Sequence, residues 1–479
     1  MRIAILLKLQ PISQYSNYWY NSTMILPSPD LVVVGGGLAG CEAAFQAASK
    51  GKFVWLYEMR PGVQTGAHVT DDLGELVCSN SLGSILPDRA SGLLKREIRN
   101  LGSLLLKCAE QTALPAGDAL AVDRTGFSRL VTQTLETHPN IRIIREEVTA
   151  IPDALCVIAS GPLTSDALSA ALQNLTGREH LFFYDAIAPI VSRQSIDMNI
   201  AFRASRFGRG EAEGGDYINC PMTREQYDGF VDELIKAERI SLREFERDLE
   251  IGVKAGIQTF FESCLPVEII AMRGHDALAY GPMRPVGLID PRSGAHPYAI
   301  VQLRQDNLAN DLYNIVGFQT NLAFSEQKRV FRMIPGLENA EFLRLGQMHR
   351  NTFLYSPDFL LPTLQSKQQS NLFFAGQLIG VEGYVGNIAT GLVAGINAVR
   401  FLENEPLWVL PETTMLGALC HYISHASPVD FQPMKANMGL LPPLEDVVEK
   451  GRVGRRVRAA LLSRRAEADL KQFLKDYAS

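Results

Sequence analysis

Cysteines are the residues of this chain best suited to covalent chemistry. Cys78 sits in Leu76-Val77-Cys78-Ser79-Asn80-Ser81-Leu82-Gly83, a small, polar stretch after an apolar pair. Such a loop can bring a thiolate against a planar cofactor as nucleophile or adduct former; the same residue can equally be a small buried Cys, and spacing leaves both readings open. Cys264 lies in Phe260-Phe261-Glu262-Ser263-Cys264-Leu265-Pro266-Val267-Glu268. The flanking carboxylates repel a thiolate, yet they could move protons once the thiol has reacted. Cys220, in Tyr217-Ile218-Asn219-Cys220-Pro221-Met222 beside an expected turn, is a third candidate. There is no C-x-x-C pair and no zinc-type spacing, so no metal site is expected.

Among the histidines, His349 keeps the most polar company, in Met348-His349-Arg350-Asn351-Thr352. Its ring suits either stacking on a planar ligand or a plain surface position. His421 and His425, at i and i+4, lack the Glu of a metalloprotease helix and are read as structural. Lys450, Arg452, Arg455, Arg456, Arg458, Arg464 and Arg465 crowd into an expected C-terminal helix, either a solvated face or a nucleic-acid contact. Arg203, Arg206, Arg209, Arg273, Arg284 and Arg292 strengthen an RNA reading if folding makes them converge with it, since nearby aromatics and arginines can stack on an unpaired base.

Glycines mark the scaffold that must position these groups. Gly35-Gly36-Gly37-Leu38-Ala39-Gly40 follows the β-branched run Asp30–Val34 and precedes an Ala-rich helix, Cys41 to Ser49; a second apolar run, Phe53–Tyr57, ends at Glu58. Strand, glycine turn, helix, strand and acid make a dinucleotide-binding unit. Gly35 allows the tight turn, Gly37 lets backbone approach a pyrophosphate, Gly40 lets the helix pack, and Glu58 is placed to accept from a ribose. Near the other end, Asn371–Ala375 is another buried-strand run, ending at Gly376-Gln377 and followed by glycines 380, 383, 386 and 391, with a helix expected over Asn387 to Leu402. Gly376, Gln377 and Gly391 therefore join the candidate cofactor-binding residues, and one dinucleotide uses both ends of the chain.

The fold class is α/β, a Rossmann-type FAD-binding domain split into 28–190 and 365–440. An α+β insertion over 191–364 carries the substrate, with short alternating strands such as Ala299 to Leu303 and Asn314 to Gln319 and a charged amphipathic helix over Tyr227 to Leu249. A basic helical extension follows at 441–479. Residues 1–27 read as a loose tail; the apolar run Ile3–Leu7 is too short and lacks the cleavage site of a signal peptide, and Met24 is an alternative start.

The 479 residues suggest about three units of roughly 150. With 46% hydrophobic and 20% charged residues, a wholly disordered chain is excluded. The richest apolar stretch, Leu372 to Ala398, is broken by Gln377, Glu382 and Asn387, so no membrane span is expected. Seven scattered cysteines point to a reducing, cytoplasmic compartment. The net charge of −6 argues against nucleic-acid binding by global charge, so any RNA site must be local.

Val32 to Pro61 with its Tyr57-Glu58-Met59-Arg60-Pro61 ending, Leu76 to Gly83, Gly281 to Gly294, Val316 to Thr320, Ile334 to Ala340, Met348 to Thr352 and Phe373 to Asn397 together resemble the TrmFO family of folate- and FAD-dependent tRNA uracil-5-methyltransferases. The resemblance covers about residues 30 to 445. It implies an FAD domain of the glutathione-reductase type and formation of 5-methyluridine at position 54 in the tRNA T loop. The carbon comes from 5,10-methylenetetrahydrofolate and the electrons from NAD(P)H through FAD. It further implies Cys264 as the nucleophile at uracil C6, Cys78 beside the flavin, and His349 stacked on folate. Arg284, Arg455, Arg456 and Arg458 become candidate tRNA contacts. No second glycine fingerprint marks an NAD(P)H site, so the reductant is expected to bind transiently, and no obligate protein partner is implied. The tail and a few extra residues around Gly208 to Gly215 depart from the family pattern. The rival readings are the related FAD and folate enzyme of the tRNA wobble uridine, which carries a longer C-terminal helical region, a non-catalytic flavoprotein that binds RNA, and a plain NAD(P)H oxidase.

Overall fold

The computed structural model describes residues 28–177, 181–210, 212, 214–240, 265–427, 431–444 and 454–478, with the backbone alone at 181–185, 348–350, 455 and 478. Leu31–Val34 is buried at every position, as a central parallel strand covered on both faces requires. It pairs with Val54–Tyr57 on one side and Cys156–Ile158 on the other; Ile141–Ile144 and Leu372–Phe374 are the outer strands of this five-stranded parallel sheet. The strand beside Cys156–Ile158 thus comes from the far end of the chain.

The Leu38–Ser49 helix lies against a long helix, Tyr384–Leu402, with backbone nearly touching backbone. A Cβ on Gly391 would sit 2.2 Å from the Ala39 carbonyl oxygen, and one on Gly395 would sit 2.5 Å from that of Ala43. Among the described residues, Tyr384–Leu402 is the one helix long and apolar enough to cross a membrane, and 78% of its apolar window is buried inside the protein. Two buried carboxylates cap neighbouring helices. Glu42 accepts from Leu104 N and Leu105 N, and Glu97 from Met415 N and Leu416 N, each setting carboxyl oxygens against the free N–H groups of a helix N-terminus.

A second sheet of six strands runs Phe202–Ala204, Tyr217–Met222, Ala299–Gln305, Leu312–Ile315, Ile190–Ser192, Phe342–Arg344, antiparallel throughout. Ala299–Gln305 is buried at all seven positions, not alternately, because both faces are covered. Val301 and Leu303 share a core with Tyr227, Phe230 and Leu234, whereas Ile300 packs with Phe202 and Leu288. The strand expected to reach Gln319 ends at Ile315, before a turn at Gly317 with φ +79°. The expected Tyr227–Leu249 helix is Arg224–Lys236, opened by a capping box of Thr223 and Gln226; residues 241–249 lie outside the described residues.

The cores are separate. One draws on Leu31 to Leu172 and Leu354 to Phe473, the other on Val191 to Ala340. The antiparallel pair Leu181–Ala186 and Met348–Phe353 carries the chain between them. The C-terminal helix, Arg455–Ala478, buries Leu462, Ala466, Leu470 and Phe473 in the first core, so it packs there along one face.

Candidate functional site

A cavity of about 970 Å³, counting its open mouth, lies at the carboxyl ends of the parallel strands. Gly35, Gly36, Gly37, Leu38, Ala39 and Glu58 line it, joined by Gly376 and Gln377. Gly40 and Gly391 do not. A Cβ on Gly40 would meet the Gly35 carbonyl oxygen at 1.8 Å, and Gly391 faces Ala39, so both serve packing behind the cavity. Gly35 has φ +108° and no room for a side chain against Ala159. Gly37 is different: an added Cβ would find nothing within 4 Å, so this part of the turn borders open space.

Glu58 is already engaged in the turn. It accepts from Gly36 N at 3.1 Å and from the Arg60 amide and Nε at 3.0 and 2.9 Å. Burial pushes its carboxyl up, but the Arg60 hydrogen bonds and charge outweigh that and hold it below the usual range. An ionised carboxylate has about four acceptor sites, so with three taken it can still accept from one ribose hydroxyl. His68, which no sequence signal marked, also lines the cavity, with Nδ1 2.6 Å from Thr65 Oγ1. Burial, with the Arg60 charge, pushes its pKa down to about 4, leaving it neutral at pH 7.

These residues fit a pyrophosphate-linked dinucleotide such as FAD. Neither the Leu38–Ser49 nor the Tyr384–Leu402 helix has a side-chain cap, and Leu38, Ala39 and Tyr384 line the cavity, so uncapped N–H groups are available to phosphate oxygens. Asn387 Oδ1, on another lining residue, is buried with no hydrogen-bond partner.

Cys78 stands at the Tyr384 end of this cavity. The Tyr384 hydroxyl accepts from Cys78 N at 2.8 Å and Ser79 N at 3.1 Å. Three guanidinium groups from distant segments hold the same loop. Arg124 donates to Leu76 O at 2.6 Å and pairs with Asp306, Arg344 donates to Val77 O at 3.1 Å, and Arg304 donates to Asn80 Oδ1 at 2.8 Å. A negatively charged reacting group here meets three cations and one carboxylate. The Cys78 thiol lies 3.9 Å from Ala186 O, and Ala186 is the register partner of Met348. Folding thereby brings the Cys78 loop to the strand that carries His349, whose side chain lies outside the described residues.

Cys264 also lies outside the described residues. Its neighbour Glu268 accepts from Thr320 Oγ1 and Asn321 N at 2.9 and 2.8 Å, which makes it an anchor of the Val267–Met272 helix. Cys220 lies within a strand, not beside a turn, opposite Val301, and burial pushes its thiol up to about 12. That is an inert structural cysteine. Arg284 is exposed on the insertion and Arg458 on the C-terminal helix. Arg456 reaches Asp88 at 2.9 Å, and the side chain of Arg455 is not described. Sequence reasoning missed Arg124, Arg304, Arg344 and Tyr384, because only the tertiary fold gathers them.

The family described as glucose inhibited division protein A matches residues 30–406. The methylenetetrahydrofolate--tRNA-(uracil-5-)-methyltransferase TrmFO of Pelotomaculum thermopropionicum is 56% identical over 416 residues, 87% of this chain and 92% of its own. That of Halalkalibacterium halodurans is 51% identical over 450 residues, 94% of this chain and 100% of its own. The crystal structure of Aquifex aeolicus GidA superposes with a TM-score of 0.64 at 18% identity, over 94% of this chain and 75% of that one, a likeness of fold. Identity above half across nearly the whole length settles the relationship: the chain belongs to the glucose inhibited division protein A family, in its TrmFO branch.

Proposed function

We propose that this enzyme methylates C5 of the position-54 uridine in the tRNA T loop, with 5,10-methylenetetrahydrofolate as carbon donor, FAD as resident cofactor and NAD(P)H as reductant, in the cytoplasm. C5 of uracil is a poor nucleophile. A thiolate that adds at C6 turns C5 into an enolate carbon able to attack the methylene carbon; loss of the C5 proton then expels tetrahydrofolate and leaves an exocyclic methylene on the uracil, and hydride addition to that methylene carbon expels the thiolate. Cys264 takes this role by its family motif. FAD, when bound among the glycine turn, Gly376 and Gln377, supplies the reducing equivalents that make the transferred carbon a methyl group. Cys78 attends the flavin end, held by Tyr384 and the three arginines, and His349 stacks on the folate.

The observation that carries this reading is the Cys78 loop hung on Tyr384 at the end of the cavity lined by the glycine turn, Glu58, Gly376 and Gln377. Nothing about a plain oxidase calls for a cysteine loop held by three arginines there. Purified protein with FAD, NAD(P)H, methylenetetrahydrofolate and unmodified tRNA, followed by nucleoside mapping, tests it. Folate-dependent 5-methyluridine in the T loop is expected. Modification at the wobble uridine, or none, overturns the reading.

A further inference from the structure

We propose that the Arg206–Phe207 turn and the facing Arg284–Gly287 loop form an RNA-contact edge of the insertion, in which the Phe207 ring stacks on an unpaired base while Arg206 and Arg284 meet phosphates. The inference deepens the proposed function and rests on tRNA being the substrate.

Phe207 has φ +58°, a conformation costly for a bulky residue, and is 65% exposed. Its amide donates to Gly287 O at 2.9 Å and its ring lies on Gly287, where even a Cβ would come within 3.0 Å of the ring. The strain therefore holds a large aromatic surface in solvent rather than in a core. Beside it, Arg206 donates to Gln302 Oε1 at 2.9 Å and to Val286 O at 2.7 Å, both neutral. Arg284 is close enough to repel it. Arg209 and Arg292 pair with Asp118 and Asp290, whereas Arg206 and Arg284 have no carboxylate partner among the described residues; Glu211 and Glu213 lie outside them. Two adjacent cations without a counterion, next to an exposed ring, match the alternation of phosphate and base in single-stranded RNA.

The edge borders the candidate site. Gln302 and Arg304 point to the same face of one strand, about 7 Å apart. The first holds Arg206, and the second holds Asn80 of the Cys78 loop. This buried face thus ties the edge to the Cys78 loop, so an RNA loop that presents one base near the thiol has neighbouring nucleotides beside the exposed Phe207 and Arg284.

Phe207→Gly tests the idea, because glycine adopts φ +58° without strain. Its thermal midpoint should match or exceed the wild type, while affinity for unmodified tRNA should fall about five- to 150-fold, the loss of one stacked base. Phe207→Tyr should keep wild-type affinity. Arg284→Gln should reduce the slope of log Kd against log salt by about one. Unchanged affinity of Phe207→Gly in a protein whose wild type methylates tRNA overturns this inference alone. So does lost affinity in Phe207→Tyr, an unchanged salt slope in Arg284→Gln, or a change confined to self-association. A wild type that does not bind tRNA overturns the proposed function with it.

Discussion

Tyr384→Phe removes one oxygen and leaves the rest of the site in place. In the wild type that oxygen accepts two backbone hydrogen bonds, from Cys78 N at 2.8 Å and Ser79 N at 3.1 Å. An unsatisfied buried donor costs about 1–3 kcal/mol, and the loop is half-buried, so water recovers part of the loss. The net destabilisation of the loop is on the order of 2 kcal/mol, equivalent to a roughly thirtyfold higher population of its open form. Amide exchange in a peptide covering residues 76–80 should accelerate by about that factor, while peptides from the parallel sheet keep their protection. Methylation should fall with it, since the thiol no longer keeps a fixed position against the cavity. Unchanged exchange in 76–80 together with unchanged turnover would refute the view that Tyr384 holds this loop in place.

Gly391→Ala should destabilise the fold by about 1–3 kcal/mol and lower FAD content, because the new Cβ has only the Ala39 backbone to meet; helix propensity alone predicts a gain of about 1 kcal/mol, so a raised thermal midpoint would contradict the packing account. Burial pushes Glu97 from 4.5 up to about 7. The folded state then holds a proton that the unfolded state has released across that window, so this group's contribution to stability falls as pH rises from 4.5 to 7, by on the order of 3 kcal/mol. In denaturant titrations the deficit of Glu97→Gln should therefore shrink between about pH 5 and pH 8; a growing deficit reverses the sign. Cys264→Ala should abolish 5-methyluridine formation while the flavin spectrum persists, and retained activity would move the nucleophile elsewhere.

Legibility followed range. The unit from Leu31 to Tyr57 is readable because strand, glycine turn and helix are local, and each glycine has its own backbone reason. Leu372–Phe374 is readable as a strand from its apolar run, although its neighbour in the sheet is distant in sequence. Gly391 shows the limit: its glycine-rich setting suggests cofactor contact, whereas the fold uses it to bring two helices together. Alternation fails for Ala299–Gln305 because both faces of that strand are covered, one by apolar side chains and the other partly by Arg206 and Asn80 reaching its polar residues. The arginines around Cys78 come from a helix, a central strand and an edge strand, and no spacing links them. The C-terminal basic run hides an apolar stripe, Leu462, Ala466, Leu470 and Phe473, that docks the helix on the first core.

The most direct test of the account uses methylenetetrahydrofolate labelled with ¹³C at the methylene carbon, FAD, NAD(P)H and unmodified tRNA, with mass spectrometry of the T-loop nucleoside. The expected product is 5-methyluridine heavier by the mass of the label, formed only when both folate and reductant are present. Unlabelled 5-methyluridine, or none with active folate and bound flavin, would contradict it.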